Sequence, residues 1–178
     1  MIEVVRGSVV DQRVDAIVNA ANTGMLGGGG VDGAIHRAAG PGLLEECRPI
    51  HDAGGCPTGE ARITGAHGIS WARHIVHAVG PVYSERRAAE CARLLRSCYD
   101  ASCRLALVAG DASIAFPCIS CGVYGYPFDE ATLIAADALE AFAPEFDRIV
   151  MAMFTRSEYD RAAELLRGRE AFRLPEGE

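Results

Sequence analysis

Two polar residues, Asn22 and Asp32, bracket the most glycine-rich stretch of the chain, Gly27 to Gly30. An asparagine side chain both donates and accepts hydrogen bonds, which suits it to hold a sugar hydroxyl. An aspartate accepts hydrogen bonds, and it can orient or deprotonate a water molecule. Simpler interpretations stay open, because Asp32 is suited to cap a helix and Asn22 to shape a turn. His36 lies one helical turn after Asp32, and a packing role is expected for it.

The consecutive glycines predict a site for a phosphate group. They are entropically costly, and they precede a predicted helix, whose free N–H groups and dipole favour an anion. A nucleotide triphosphate loop would need a lysine after the glycines, and none follows. Gly28, Gly30 and Gly33 match the dinucleotide pattern G-x-G-x-x-G, but that pattern requires a tight turn directly after the strand. Ala20 and Gly28 are too far apart for that turn, so the sequence argues against both.

A second glycine-rich loop runs from Ser120 to Pro127, between a predicted strand and a predicted helix. Gly122 and Gly125 free the backbone to wrap around a diphosphate. Tyr124 offers a flat face to a ribose or a base. Two such loops in one small domain predict a ligand with two phosphates held between them.

Seven cysteines occur in the chain. Without an export signal, free thiols are expected, many of them as small buried apolar residues. Cys118 and Cys121 have the C-x-x-C spacing of half a zinc site or of a redox pair. No second C-x-x-C or H-x-x-x-H follows, and a redox pair usually opens a helix near the N-terminus. The sequence therefore favours a strand end whose two thiols happen to lie close in the chain.

Alternating strands and helices must position these loops. Strands are predicted at 2–6, 14–20, 74–79, 113–118 and 148–154, and helices at 31–39, 42–50, 85–107, 128–142 and 158–166. This alternation indicates an α/β protein with helices on both faces of a sheet. Ligands of such folds bind outside the carboxyl ends of the strands, which is where both glycine loops fall.

The composition of the 178 residues is that of one globular domain, with 49% hydrophobic and 23% charged residues. The net charge of −7 argues against broad electrostatic capture of nucleic acid or of an anionic membrane. No apolar run approaches the ~20 residues of a membrane span. The N-terminus lacks the features of a signal peptide, so a cytoplasmic location is expected.

Several long motifs in the same order resemble the macrodomain family, MacroD type. They are Asn19 to Asn22 followed by Gly27 to Gly40, then Thr58 to Ala61, Ile75 to Pro81 and Ile119 to Pro127. The resemblance implies a three-layer α/β/α fold with a central mixed, mostly parallel sheet, built by residues 1–167. The polar composition of residues 168–178 predicts a frayed tail after it. It also implies binding of ADP-ribose and hydrolysis of the ester that joins ADP-ribose to acidic side chains.

The same resemblance implies partners and site residues. Mono-ADP-ribosylated proteins and O-acetyl-ADP-ribose would be substrates, no metal or organic cofactor would be needed, and a monomer is expected. Asn22 would hold the distal ribose, and Asp32 would position that ribose or activate a water held against the α-phosphate. The implied substrate-binding set is Ser8, Val9, Ala21, Asn22, Gly27, Gly28, Gly29, Gly30, Val31, Asp32, Ile119, Ser120, Cys121, Gly122, Val123, Tyr124, Gly125 and Phe154. Within it, Tyr124 would lie against the distal ribose and Phe154 near adenine.

The chain departs from the family at Ser8, where an aspartate usually accepts from the adenine amino group. Hydrogen bonds to charged groups are worth about 1.5–3 kcal/mol, against about 1 kcal/mol for neutral ones. Weaker selection for adenine is therefore predicted, unless Asp11 compensates. Cys121 replaces a common threonine, which is tolerated if this segment binds through its backbone N–H groups.

Two alternative functions stay open. A non-catalytic ADP-ribose reader would use the same loops, although the presence of both Asn22 and Asp32 favours an enzyme. A phosphatase or similar enzyme acting on nucleotide or RNA ends is the other alternative, and the acidic composition disfavours RNA.

Overall fold

The computed structural model describes residues 1–174, and within that range it contains seven strands and five α-helices. The strands are β1 (Ile2–Arg6), β2 (Ala16–Ala20), β3 (Ala61–Gly65), β4 (His74–Ala78), β5 (Ser113–Phe116), β6 (Arg148–Met153) and β7 (Phe172–Arg173). The helices are α1 (Gly30–Ala39), α2 (Pro41–Asp52), α3 (Ala88–Val108), α4 (Phe128–Phe142) and α5 (Arg156–Leu165). Every predicted element is present, with ends that shift by a few residues.

The strands form a single sheet in the order β3-β4-β2-β5-β6-β1-β7. All neighbouring strands run parallel except β3, which pairs antiparallel with β4. The predicted α/β class with a mixed, mostly parallel sheet is therefore confirmed. Strand β3 was not predicted, because this five-residue edge strand directly follows turn-rich sequence.

Helices cover both faces of the sheet, because successive residues of the central strands are apolar and point to opposite sides. Ile17 of β2 packs into the core beneath α1 and α2, whereas Val18 packs into the core beneath α3 and α4. Ile149 and Val150 of β6 divide in the same way. The two cores hold the central strands from both sides and fix where their carboxyl ends lie.

Local signals explain where two helices begin. Thr155 and Glu158 form a capping box, in which each side chain binds the backbone N–H of the other residue. This box begins α5 earlier than predicted. Gly40 ends α1 with a positive φ of 77°, and Pro41 then opens α2 at a position where a missing N–H costs nothing.

The expectation of a frayed tail from Gly168 is wrong for the part that the structure describes. Strand β7 pairs with β1 at the sheet edge, and Phe172 is buried. Arg169 is anchored on α4, where it donates to Asp137 at 2.7 Å. Residues 175–178 of the predicted tail lie outside the described residues.

Among residues 1–174, no helix has both the length and the apolar character needed to cross a membrane.

Candidate ligand site

A cavity of about 350 Å³ opens at the carboxyl ends of β2 and β5, between the two glycine-rich loops. Twelve of the predicted site residues line it: Ala21, Asn22, Gly28, Gly29, Gly30, Val31, Asp32, Ile119, Ser120, Gly122, Val123 and Tyr124. Three further lining residues, Ala20, Gly80 and Cys118, were not predicted. The topology thus brings together two segments that are almost a hundred residues apart in the chain.

Asn22 folds the first loop back on itself. Its side-chain Oδ1 accepts from the backbone N–H groups of Gly24 and Met25, both at 3.1 Å. Its Nδ2 donates to the carbonyl of Gly27 at 3.0 Å. The turn-forming interpretation of Asn22 is therefore correct, and one amide hydrogen of this side chain is left for a ligand.

The glycine loop leads directly into the N-terminus of α1. Gly29 precedes the helix, and no side chain caps it. The first N–H groups of a helix have no partner within the helix, so those of Gly30 and Val31 are available at the cavity wall. Close packing fixes the loop on the helix, because a Cβ on Gly33 would lie 2.6 Å from the carbonyl oxygen of Gly28.

Asp32 stands in the first turn of α1, yet its carboxylate is not a helix cap. The residue is 5% exposed. One carboxylate oxygen, Oδ1, accepts from Asn19 Nδ2 at 2.6 Å and lies 3.4 Å from His36 Nε2. The other, Oδ2, is buried with no hydrogen-bond partner among residues 1–174 and would be 3.0 Å from a Cβ on Gly28. The carboxylate is thus held through one oxygen, while the other faces the glycine loop.

A buried polar chain anchors Asp32 from behind. Asn19 uses its amide hydrogens on Asp32 and on His77 Nδ1, which lies at 3.1 Å. His77 Nε2 lies 2.9 Å from the hydroxyl of Thr64, which donates to the carbonyl of Gly65. Burial, with a smaller contribution from nearby His36, lowers the pKa of His77 from 6.5 to about 3. The imidazole is therefore neutral, with its proton on Nε2, and Nδ1 accepts from Asn19.

Sequence reasoning missed this chain of side chains. Asn19 was noticed only as part of a motif and His77 only as a strand residue, and Thr64 was not singled out. The available signal was a set of polar residues in strands that otherwise carry apolar ones. His36 does pack as expected, with its ring beneath Gly27 and behind Asp32.

The second loop lies against the end of β4 because Gly80 has no side chain. A Cβ there would clash with the Ser120 hydroxyl and with Ile119. Ser120 has a positive φ of 66°, and its buried Oγ, at the cavity wall, has no hydrogen-bond partner in the described part of the chain.

The expectation that every cysteine is a free thiol is wrong at this loop. Cys118 and Cys121 form a disulfide, because the turn between them brings their Cα atoms to 5.7 Å, within the range that a disulfide requires. The other five cysteines, Cys47, Cys56, Cys91, Cys98 and Cys103, are free and buried.

Six predicted site residues do not line this cavity: Ser8, Val9, Gly27, Cys121, Gly125 and Phe154. The Ser8 hydroxyl instead caps a short 3-10 turn, where it accepts from the N–H of Val10 at 3.2 Å. Phe154 follows β6, next to β1, and is 73% exposed. Ser8 and Phe154 therefore share the carboxyl edge of the sheet beyond the cavity.

The electrostatics of the cavity come from the backbone. Among lining residues of the described chain, Asp32 is the one charged side chain, and no lysine or arginine is present. An anion here would be held by N–H groups and by the N-terminus of α1. Within residues 1–174, no three His, Cys, Asp or Glu side chains are grouped so that they could hold a metal ion.

Fold and site together define a class of protein: an α/β/α domain with two glycine-rich loops around a cavity that suits an anionic ligand. A family model described as the Macro domain matches residues 18–135. The chain belongs to the macrodomain family, which confirms the resemblance found in its sequence.

Relatives and solved structures support this assignment. A macro domain-containing protein of Vibrio parahaemolyticus is 48% identical over 159 residues, which are 88% of this chain and 91% of that protein. ADP-ribose glycohydrolase MACROD2 of Xenopus laevis is 43% identical over 158 residues, which are 86% of this chain and 37% of the Xenopus protein.

Two solved macrodomains contain nucleotide ligands. That of Oceanobacillus iheyensis with ADP has a TM-score of 0.85 and 40% identity, covering 92% of this chain and 88% of that chain. That of Trypanosoma brucei in complex with ADP-ribose has a TM-score of 0.82 and 47% identity, covering 90% of this chain and 67% of that chain.

Proposed function

We propose that this protein binds ADP-ribose and hydrolyses the ester that joins ADP-ribose to acidic side chains, and also O-acetyl-ADP-ribose. One observation carries the proposal: a cavity lined by free backbone N–H groups has a single carboxylate, Asp32, with one oxygen anchored and the other unpartnered. The first feature suits a diphosphate, and the second suits a reaction at the adjoining sugar.

The two loops would hold the diphosphate from opposite sides. The N-terminus of α1, from Gly28 to Val31, supplies N–H groups and a favourable dipole to one phosphate. The turn from Ser120 to Gly122 would bind the other, with the Ser120 hydroxyl as an additional donor. Backbone N–H groups suit this ligand because they bind phosphate without carrying a net charge, so they form no ion pair with the nearby carboxylate of Asp32.

The sugar next to this diphosphate would lie over Asp32. Its Oδ2 would accept a hydrogen bond from a ribose hydroxyl or from the attacking water, and the remaining amide hydrogen of Asn22 would bind another hydroxyl. Tyr124 would cover the ribose. Adenine would extend beyond the cavity toward Ser8 and Phe154, where neighbouring strands β1 and β6 end.

Hydrolysis needs a water placed against the ester and an acceptor for its proton. Asp32 Oδ2 can take that proton, because Oδ1 is fixed by Asn19 and the carboxylate cannot turn away. Fixed placement of the reactants supplies the remaining acceleration. The oxygen of that water bonds to the ester carbonyl carbon as the bond from this carbon to the ribose oxygen breaks, and Asp32 returns the proton to the ribose oxygen. The acidic side chain or acetate is released as a carboxylic acid, and ADP-ribose remains. No step requires a cofactor.

The proposal is tested by measuring release of ADP-ribose from a mono-ADP-ribosylated protein by mass spectrometry, beside ADP-ribose affinity by calorimetry. We expect Asp32→Asn to lower turnover by about 10²–10⁴-fold, the range for loss of a general base, and to keep most of the affinity. The amide preserves an acceptor oxygen for Asn19, so the fold is maintained.

Asp111→Asn provides the matched control. Asp111 is also a buried carboxylate, but it pairs with His74 at the opposite edge of the sheet, so its loss should leave turnover unchanged. If the wild-type protein binds ADP-ribose but does not release it from the mono-ADP-ribosylated protein, the domain is a non-catalytic reader. Wild-type protein that does not bind ADP-ribose would overturn the whole proposal.

A further inference from the structure

Cys118 and Cys121 stand at the two ends of the turn that forms one wall of the cavity. The N–H of Cys121 donates to the carbonyl of Cys118 at 3.4 Å, and Cys118 itself lines the cavity. Both residues are half-buried, so a small reagent can reach them. A change in the bond between them would alter the cavity wall directly.

The remaining cysteines are poor candidates for the same chemistry. All five are at most 2% exposed. Burial raises the pKa of Cys47 to about 11 and that of Cys98 to about 12, and it raises those of Cys56 and Cys103 as well. Because the thiolate is the reactive form, thiol chemistry of the folded protein is concentrated at the Cys118–Cys121 pair.

The loop that follows the pair has few other anchors. Gly122, Val123 and Gly125 are exposed. Three backbone hydrogen bonds hold the segment: Tyr83 N–H to Tyr124 O at 2.8 Å, Gly125 N–H to Gly122 O at 2.9 Å and Tyr126 N–H to Ser120 O at 2.9 Å. Ser120 must also keep a positive φ, which side-chain-bearing residues rarely adopt. Ile119 and Tyr126 are buried at the two ends of this segment, so a covalent link across Ser120 restricts mainly the exposed residues between them.

We propose that Cys118 and Cys121 are a reversible thiol–disulfide site, which takes a low-molecular-weight disulfide as its oxidant and thereby orders the loop from Cys118 to Tyr126. One protein thiolate attacks the small disulfide, forms a mixed disulfide and releases one small thiol. The second protein thiol, on losing its proton, displaces the other small thiol. Two protein thiols are thus oxidised, and one small disulfide is reduced to two thiols.

The consequence for ligand binding rests on the proposed function. The oxidised form would present the Ser120 turn ready for the diphosphate. The reduced form would have to order that turn when ligand binds. Its affinity for ADP-ribose should be about 5- to 30-fold weaker, the range that corresponds to ordering the backbone of one residue.

The chemistry is tested first, without ligand. Fully reduced protein is incubated with glutathione disulfide, and free thiols are then alkylated under native conditions and located by peptide mass spectrometry. We expect one new disulfide, between Cys118 and Cys121, and alkylation of both in the reduced protein only. A persistent mixed disulfide with glutathione, or reaction at the buried cysteines instead, would overturn the assignment.

The structural effect is tested by hydrogen exchange of residues 118–126 and by ADP-ribose affinity in both redox states. The reduced form should exchange faster and bind more weakly. Cys121→Ser should abolish the difference between oxidising and reducing conditions, whereas Cys103→Ser, at a buried position on α3, should retain it. Equal exchange in the two states, or a response that survives in Cys121→Ser, would refute the inference. If neither state binds ADP-ribose, the proposed function is wrong, while the exchange comparison still decides the role of the disulfide.

Discussion

Replacing Asn19 by leucine tests whether Asn19 holds Asp32 in place or only fills space in the core. The two side chains have similar size, and Asn19 is fully buried at the end of β2. The change removes two hydrogen bonds: one of 2.6 Å to Asp32 and one of 3.1 Å to His77. Asp32 then keeps only the more distant His36, at 3.4 Å, beside its anchored oxygen.

The expected size of the effect follows from those two bonds. A hydrogen bond to a charged group is worth about 1.5–3 kcal/mol and a neutral one about 1 kcal/mol, so Asn19→Leu should cost about 3 kcal/mol. For a domain of this size that lowers Tm by about 6–12 °C. A displacement by about 1 Å of the carboxylate that we propose as the general base can reduce the rate about 10²-fold, so kcat should fall by that factor with little change in KM.

The assay pairs thermal unfolding with steady-state release of ADP-ribose. Thr64→Val is the matched control, because it removes the partner of His77 Nε2 and leaves the bond between Asn19 and Asp32 intact. It should lower Tm through an unsatisfied buried N–H, at about 1–3 kcal/mol, but keep kcat. If Asn19→Leu retains full kcat, or if Thr64→Val loses as much, then Asn19 does not position Asp32.

Three further predictions test other parts of the structure. Burial lowers the pKa of His77 from 6.5 to about 3, so on acidification the unfolded chain binds this proton before the folded protein does. The free energy of unfolding should therefore fall by about 1.4 kcal/mol per pH unit below about pH 6.5. Urea unfolding at about pH 7 and pH 5 should show a smaller pH dependence in His77→Gln. Gly33→Ala should weaken ADP-ribose binding in calorimetry, because its Cβ would lie 2.6 Å from Gly28 O. The control Gly29→Ala should keep the wild-type Tm, because a Cβ at that position has no neighbouring atom within 4 Å. Ser8→Asp keeps a capping side chain and adds a charged acceptor, so calorimetry should report tighter ADP-ribose binding.

Each of these has a contradicting outcome. Equal pH slopes for wild type and His77→Gln would mean that the buried imidazole is not the titrating group. Undiminished affinity in Gly33→Ala would mean that the glycine loop is not held on α1 as described. Equal affinity in Ser8→Asp would remove the idea that position 8 selects adenine.

Periodic patterns made most of the fold predictable. Helix α4 was predicted with the bounds that it has, because its apolar residues recur at helical spacing between Pro127 and the turn after Phe142. The edge strands β3 and β7 were not predicted. β7 has two residues and β3 follows turn-rich sequence, and the pairing of both depends on other strands, which local periodicity does not report.

The site was predictable where function depends on backbone conformation, since glycines mark those positions in the sequence. Contacts between side chains were not predictable from the sequence. The bond between Asn19 and His77 joins residues of two neighbouring strands and appears only when their register is known. For Cys118 and Cys121, the C-x-x-C spacing was visible in the sequence, but the turn that brings the two sulfur atoms together was not.

A crystal structure of the protein with ADP-ribose would show whether the two glycine-rich loops bind the diphosphate. The diphosphate should lie between the N-terminus of α1 and the turn from Ser120 to Gly122, within hydrogen-bond distance of backbone N–H groups on both sides. The distal ribose should contact Asp32 Oδ2. Diphosphate density that is held by side chains elsewhere, or a cavity left empty at saturating ADP-ribose, would contradict it.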